Sequence, residues 1–227
     1  MNAKQIIWDW PLRLFHWLLV VSLLLAYLSG SEGGIYLDWH SQSGLFVLSL
    51  LCFRFSWGFL GSYYSRFSTF YPSVSRFHDY LKTDYQPAGH NPLAALSIFS
   101  MLIIILIQSV TGLFMSDEDY EFYGPLEDLI EGEYVSVISF CHQNLINLII
   151  TLVILHLLAI IYHSVLKKQS VIMPMITGKK SIFKNDPHKL VDKFKFTELM
   201  IAVGIAMITF WVINSGMLLE ILLLLIR

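Results

Sequence analysis

The chain has 227 residues, of which 56% are apolar and only 14% are charged, and its mean hydropathy is +0.62. This balance places it among integral membrane proteins and excludes the soluble globular class. The formal net charge of −2 gives no sign of a nucleic-acid partner.

Five apolar runs are long enough to cross a bilayer as helices, since a span needs about 20 residues. They lie near 12–29, 40–60, 93–115, 137–166 and 198–226. Asn214, Gly216 and Glu220 interrupt the last run. The sequence therefore predicts an all-α membrane protein with no separate soluble domain, surrounded by membrane lipid.

Basic and acidic residues lie in different segments of the chain. Fourteen of the fifteen basic residues lie before or at the start of span one, around the loop after span two, or between spans four and five. The segment from Asp117 to Glu133 carries eight acids and no base. The positive-inside rule then predicts a cytoplasmic N-terminus and an outward acidic loop. That loop is either a solvated surface or a surface whose negative charge attracts a basic partner such as a cytochrome c.

Four histidines lie within the spans at matching depths. His142 and His156 are fourteen residues apart on span four, so they share nearly one face and lie about 21 Å apart along the axis. His16 near the inner end of span one matches His156, and His40 near the outer end of span two matches His142. Intramembrane histidines are functional candidates, and imidazole is a common iron ligand. We predict two bis-histidine haem sites in a four-helix bundle.

Other features refine this prediction. No Cys-x-x-Cys-His motif is present, so the haems would be b-type. In span three, Gln108 and Thr111-Gly112 allow a close approach or a hydrogen bond to a neighbour. The run from Gly89 to Pro92 predicts a turn that starts this span, with proline in the first helical turn. His78, His90 and His188 are expected to be polar surface residues of cytoplasmic loops.

Several basic residues near the inner membrane face have two interpretations. Arg13, Arg54 and Arg66 either anchor their spans or bind the propionates of the inner haem, because guanidinium pairs well with carboxylate. His163, seven residues beyond His156, is an interfacial histidine, a donor to a quinone or propionate, or a substitute ligand for His156.

These residues together resemble one family, the prokaryotic cytochrome b561 family, which includes the b-type cytochrome subunit of nickel–iron hydrogenases. The resemblance covers about residues 5–180. It is carried by the motifs Trp8-Asp9, Arg13-Leu-Phe-His16-Trp17, His40-x-x-x-Gly44, Arg54-x-x-Trp57-Gly58-Phe59, Gly89-His90-Asn91-Pro92, His142, His156 and Met175-Ile-Thr-Gly-Lys179. Gln143 stands where many members have glutamate, and the fifth span lies outside the common core.

The resemblance implies a di-haem transmembrane bundle over residues 1–180, followed by a basic cytoplasmic linker and a fifth helix over 181–227. It implies two haem b groups held by His16, His40, His142 and His156 in the bacterial cytoplasmic (inner) membrane. Electrons would pass between the quinone pool and a periplasmic c-type cytochrome, dehydrogenase or hydrogenase subunit. The chain would then be an electron-transfer subunit rather than a stand-alone enzyme. A quinone site near the inner haem is also implied, with His163, Arg54 and Lys167 as positional candidates.

The fifth helix is available to pack against a partner or a second copy of the chain, as in a homodimer.

Two other functions compete with the prediction. A quinone-linked oxidase of a small outer substrate such as superoxide would need a positive outer face, whereas this one is acidic. A metal-ion transporter would favour ligands near the midplane on broken helices, whereas these histidines lie near the two faces.

Overall fold

The computed structural model describes residues 3–82, 89–117, 121–182 and 194–226. Five helices in these ranges are long and apolar enough to cross a membrane. They are α1 (Trp10–Glu32), α2 (Leu37–Leu60, preceded by a 3-10 turn at Gly34–Tyr36), α5 (Pro92–Gly112), α6 (Gly132–Ile161, continued by a π-helical turn at Tyr162–Leu166) and α8 (Phe196–Asn214). The predicted all-α membrane fold is therefore confirmed.

Short elements connect the spans. They are the helices α3 (Phe67–Phe70), α4 (Val74–Lys82), α7 (Ile172–Thr177) and α9 (Met217–Ile226), the strands β1 (Ala3–Ile6), β2 (Ser116–Asp117), β3 (Phe122–Tyr123) and β4 (Lys179–Ile182), and two further 3-10 turns (Tyr63–Ser65 and Glu127–Leu129). Strand β1 pairs antiparallel with β4, and β2 pairs antiparallel with β3.

Span three begins as the sequence predicts. The side-chain oxygen of Asn91 accepts a hydrogen bond from the backbone N–H of Ala94 at 2.7 Å, which caps the helix. Pro92 is the first helical residue, where its missing N–H costs nothing. The turn predicted from the run Gly89 to Pro92 is thus confirmed.

The predicted fifth span is present, but the apolar run to residue 226 forms two helices, divided where Asn214 and Gly216 interrupt it. Helix α8 ends at Asn214, and the chain turns at Gly216, whose φ is +74°. Glycine adopts this left-handed conformation without the steric cost that other residues incur. Helix α9 then has 10 residues, or about 15 Å, which is too short to cross a bilayer.

Two compact units can be distinguished. Unit 1 comprises residues 1–15, 54–101 and 151–202, and unit 2 comprises residues 16–53, 102–150 and 203–227. In unit 1, the register of the β1–β4 pair runs from Ala3 opposite Ile182 to Ile6 opposite Lys179. The core of unit 2 is aliphatic and includes Leu45, Leu48, Leu113, Leu126 and Ile213.

The two units differ sharply in charge. The segments of unit 1 contain fourteen of the fifteen lysines and arginines of the sequence. The segments of unit 2 contain eleven of the seventeen aspartates and glutamates. Part of this sequence, including Glu118, Asp119, His188 and most of the predicted basic linker, lies outside the described residues.

Candidate functional site

Two of the predicted histidines meet within unit 2. His40 is in the first turn of α2, and His142 is on α6. Their ring centroids are 6.0 Å apart, and the ring planes make an angle of 87°. Both side chains are partly buried. The structure thus brings together the pair that the sequence assigns to the outer side.

Hydrogen bonds orient both rings in the same way. His40 Nδ1 lies 2.8 Å from the carbonyl oxygen of Ala26, which can only accept, so Nδ1 carries the proton. His142 Nδ1 lies 3.1 Å from Thr111 Oγ1, and that hydroxyl donates to the carbonyl oxygen of Ile107 at 2.9 Å. In this pattern Thr111 accepts from His142. Each Nε2 is then left with a lone pair, which is the arrangement of a metal-ligating histidine.

Glycines allow these close approaches. A Cβ at Gly30 would lie 2.5 Å from His40 Nδ1, and one at Gly112 would lie 2.9 Å from His142 Cε1. Gly44 is different, because a Cβ there would meet no atom within 4 Å. It lies one turn after His40 on the same helical face. The predicted close approach at Thr111-Gly112 is confirmed, whereas the role of Gly30 was not foreseen.

The residues of this site fit a haem iron. A centroid separation of 6.0 Å accommodates one metal ion between two imidazoles, because metal–nitrogen bonds of this kind are about 2 Å. Among the described residues, no group of three or more His, Cys, Asp or Glu side chains could hold a metal ion. A metal with only two protein ligands needs others from a cofactor, and a porphyrin supplies four. The open space at Gly44 is compatible with such a group.

His16 and His156 belong to different units. His16, on α1, is partly buried, and its ring lies edge-on to Trp17 at a centroid distance of 5.0 Å. His156, on α6, is also partly buried. Their pairing at an inner site stays a prediction from the sequence.

A buried carboxylate at the start of α1, in unit 1, accepts hydrogen bonds from four other residues. Asp9 is 7% exposed and accepts bonds from the backbone N–H of Leu12 at 2.8 Å and from Trp57 Nε1 at 3.1 Å. The hydroxyls of Ser62 and Ser65 donate to it at 2.5 and 2.7 Å. Asp9 therefore caps α1 and ties it to the end of α2. Sequence reasoning missed this role, although an aspartate directly before an apolar run is a helix-start signal.

The three arginines singled out in the sequence all have protein partners, and Arg66 donates from Nε to the carbonyl oxygen of Gly61 at 2.7 Å. Arg54 is 3% exposed, donates from Nη1 to the Ser65 carbonyl oxygen at 3.2 Å, and lies 4.3 Å from the centroid of the Phe67 ring. Arg13 donates from Nη1 to the carbonyl oxygen of Ile176. These contacts anchor chain segments within unit 1.

His90 differs from the expected surface residue. Its ring lies 4.3 Å from that of Trp8 and 4.8 Å from that of Phe70, and it is only partly exposed. Burial first, and then the charges of Arg54 and Lys180, together lower the pKa of His90 to about 3. His90 is therefore neutral at physiological pH. His78, by contrast, is exposed beside Asp79, as expected.

His163 lies in the π-helical turn that ends α6. Its Nδ1 lies 3.0 Å from the side-chain oxygen of Gln169, so Nδ1 donates and Nε2 remains an acceptor. The neighbouring Lys167 is exposed, with its ammonium 6.0 Å from the centroid of the Tyr162 ring. The three interpretations of His163 all stay open at this point.

The sequence was also compared with protein families, with individual relatives and with solved structures. The sequence profile of the family described as prokaryotic cytochrome b561 matches residues 7–178. A protein of Escherichia coli strain K12 named "probable Ni/Fe-hydrogenase 1 B-type cytochrome subunit" is 23% identical over 216 residues, covering 79% of this chain and 92% of its own length. A "probable Ni/Fe-hydrogenase B-type cytochrome subunit" of Rhizobium leguminosarum bv. viciae is 24% identical, covering 79% of this chain and 89% of its own. No solved structure matches the chain.

Proposed function

The chain belongs to the prokaryotic cytochrome b561 family, and from that premise we propose that it is a di-haem b-type cytochrome of the bacterial cytoplasmic membrane. It carries electrons between the quinone pool and a redox partner on the outer side. It acts as the electron-transfer subunit of a larger oxidoreductase system. Membership in the family already makes it a multi-pass membrane b-type cytochrome; the number of haems, the partners and the direction of flow are the proposal.

The geometry of His40 and His142 carries this proposal. Their rings are 6.0 Å apart, and both Nδ1 atoms are engaged by neighbouring oxygens. The bound haem iron would supply one-electron redox chemistry. The chain would contribute the imidazoles of His40 and His142, whose Nδ1 atoms are engaged by neighbouring oxygens, so that each Nε2 would be available to the metal. Thr111 and the Ala26 carbonyl raise the basicity of these ligands through their hydrogen bonds.

The inner haem is proposed from the matched depths of His16 and His156 in the sequence. Arg13 and Arg54 remain candidates for its propionates, since both guanidinium groups lie in unit 1 together with His156. A quinone site near this haem would use His163. Its Nε2 is a lone-pair acceptor while Nδ1 is bonded to Gln169, so it could take a proton from a quinol.

The distribution of charge supports the orientation. The segments of unit 1 contain nearly all the basic residues, which belong on the cytoplasmic side by the positive-inside rule. The acidic segments of unit 2 would then face outward. We propose a nickel–iron hydrogenase as the outer partner, in line with the names of the two relatives. Another dehydrogenase or a basic c-type cytochrome would also suit an acidic outer face.

Haem stoichiometry tests the ligand assignment. The full chain, purified in mild detergent from cells supplied with haem precursors, should contain two haems and show a b-type reduced-minus-oxidised spectrum. H40A or H142A should each remove one haem, and H16A or H156A should each remove the other. H78A, which changes an exposed loop histidine, is the matched control and should retain both. If a variant that lacks one histidine of a pair retained both haems, the assignment of that pair would be refuted.

Reduction kinetics test the partners. In membranes that contain the chain and a nickel–iron hydrogenase, hydrogen gas should reduce both haems, and an added quinone analogue should reoxidise them. H40A should block reduction by hydrogen while leaving reduction by a quinol. Equal reduction by hydrogen in H40A and the unmodified chain would exclude an outer hydrogenase as the donor.

A further inference from the structure

The end of the fifth span is attached to the helix that carries His40. Helix α8 ends at Asn214, whose Oδ1 accepts a hydrogen bond at 2.8 Å from Nε2 of Gln42 on α2. The family profile matches residues 7–178, so it does not cover this span. Membership in the family therefore gives α8 no role, and its contact with α2 has to be explained from this chain alone.

An aliphatic cluster in unit 2 provides a second contact. Ile213, in the last turn of α8, is 6% exposed. It belongs to one buried cluster with Leu45 and Leu48 of α2 and with Leu113. Two leucines of α9 are partly buried against the same cluster. Both helices of the fifth apolar run therefore pack against the core that includes α2.

The same cluster reaches the segment that positions the second histidine. Leu113 directly follows Gly112, where a Cβ would lie 2.9 Å from His142 Cε1. Thr111, one residue earlier, is hydrogen-bonded to His142 Nδ1. One packed cluster thus joins the helix that carries His40, the residues that hold His142 and the end of the fifth span.

The contacts with the fifth span lie on the side of α2 that faces away from His40. An α-helix turns about 100° per residue, so Gln42 and Leu45 lie about 160° and 140° around the axis from His40. Gly44, at which a Cβ would meet no atom within 4 Å, is only about 40° from His40. Helix α2 is therefore held on one side by the fifth span and presents His40 on the other.

Rotation of α2 would change the geometry of the histidine pair. The ring planes of His40 and His142 make an angle of 87°. Because His40 moves with α2, a small rotation of this helix tilts one ring and leaves the other, which is on α6, in place. Contacts on the far side of α2 resist such a rotation. The fifth span is therefore in a position to fix the angle between the two rings.

We propose that Gln42, Asn214 and Ile213 are positioning residues of the outer haem site, an inference that rests on the haem function proposed above. They act through α2. By fixing its rotation, they fix the orientation in which His40 would meet the iron that His142 also binds. The fifth span is then a structural part of the outer haem site, whatever else packs against its exposed face.

The substitution N214L tests this inference, with T209V as the matched control, because Thr209 Oγ1 donates only within α8, to the carbonyl oxygen of Ile205. In a haem-transfer assay on the purified full chain, N214L should weaken binding of the haem that H40A removes by about threefold, the usual contribution of a hydrogen bond between membrane helices. T209V should bind both haems as the wild type does. The exchange Q42N/N214Q keeps one amide on each helix and should restore wild-type binding.

Electron paramagnetic resonance gives a second measurement, which a loss of stability alone would not change. The low-field line of a low-spin ferric haem depends on the angle between the planes of its two axial imidazoles. In N214L and I213A this line should shift for the outer haem and stay in place for the inner one, and Q42N/N214Q should return it to the wild-type position. L199A, which shortens a similarly buried side chain at the other end of α8, should shift neither line.

The outcomes separate the two proposals. Wild-type binding and wild-type resonance lines in N214L and I213A would overturn this inference and leave the haem function intact. Weaker binding with unshifted lines would also overturn it, because the fifth span would then contribute stability alone. So would equal shifts in L199A and I213A. A wild-type chain that lacks the haem assigned to His40 would overturn both proposals.

Discussion

Gly44 offers a test of the outer haem site that leaves the protein's own packing untouched. A Cβ at this position would meet no atom within 4 Å, so Gly44→Leu introduces a side chain into open space. In a helix interior this change removes the cost of a glycine, which is up to about 1 kcal/mol. The polypeptide should be no less stable than the wild type. If a haem lies against this face of α2, one turn from His40, the leucine occupies its place.

We therefore expect Gly44→Leu to reduce the haem content from two per chain to one without lowering the temperature of thermal unfolding of the haem-free protein. Gly204→Leu is the matched control, because a Cβ at that glycine of α8 also meets no atom within 4 Å. It should retain both haems. A Gly44→Leu protein with two haems and an unchanged absorption spectrum would refute the placement of the cofactor beside His40.

Three further substitutions test two hydrogen-bonded side chains, one in each unit, and the titration of His90. Thr111→Val removes the acceptor for His142 Nδ1 and should weaken binding of the outer haem about 10- to 100-fold in a haem-transfer assay, whereas Thr209→Val, which breaks only a bond within α8, should not. Asp9→Asn places an N–H₂ group against donors and should lower the free energy of unfolding by about 1–3 kcal/mol in a denaturant titration; a loss no larger than that of the exposed Asp79→Asn would contradict this. The pKa of His90 is lowered in the folded state, so its contribution to stability is complete above about pH 6.5 and is lost progressively as the pH falls toward 3. His90→Phe should reduce the loss of thermal stability between pH 7 and pH 4, and an unchanged loss would refute this assignment.

The sequence predicted those parts of the site that depend on one helix at a time. The spacing of His142 and His156 along α6 follows from the helical repeat, whereas their depth in the membrane stays a prediction. The prediction that Thr111-Gly112 would approach a neighbour also succeeded, because small and hydroxyl-bearing residues near a span end favour such contacts.

Apart from the meeting of His40 with His142 and the approach of Thr111-Gly112, the contacts that depend on how two segments cross could not be predicted. The helical period places Gly30 and His40 on faces of their own helices, but it does not say that these faces meet. His90 was expected at the surface because it lies in a loop, whereas the rings of Trp8 and Phe70 enclose it. The end of the fifth span at Asn214 depended on the left-handed conformation of Gly216, which the residue type permits but does not require.

The pairing of β1 with β4 also bears on how the protein is made. These two strands are joined by backbone hydrogen bonds although about 175 residues separate them in the sequence. At a synthesis rate of about 5–20 residues per second, the first strand waits roughly 10–35 s for its partner. By then spans one to four have all left the ribosome. Strand β1 is thus synthesised long before the strand with which it pairs, so this pair forms only after the first four spans have been made.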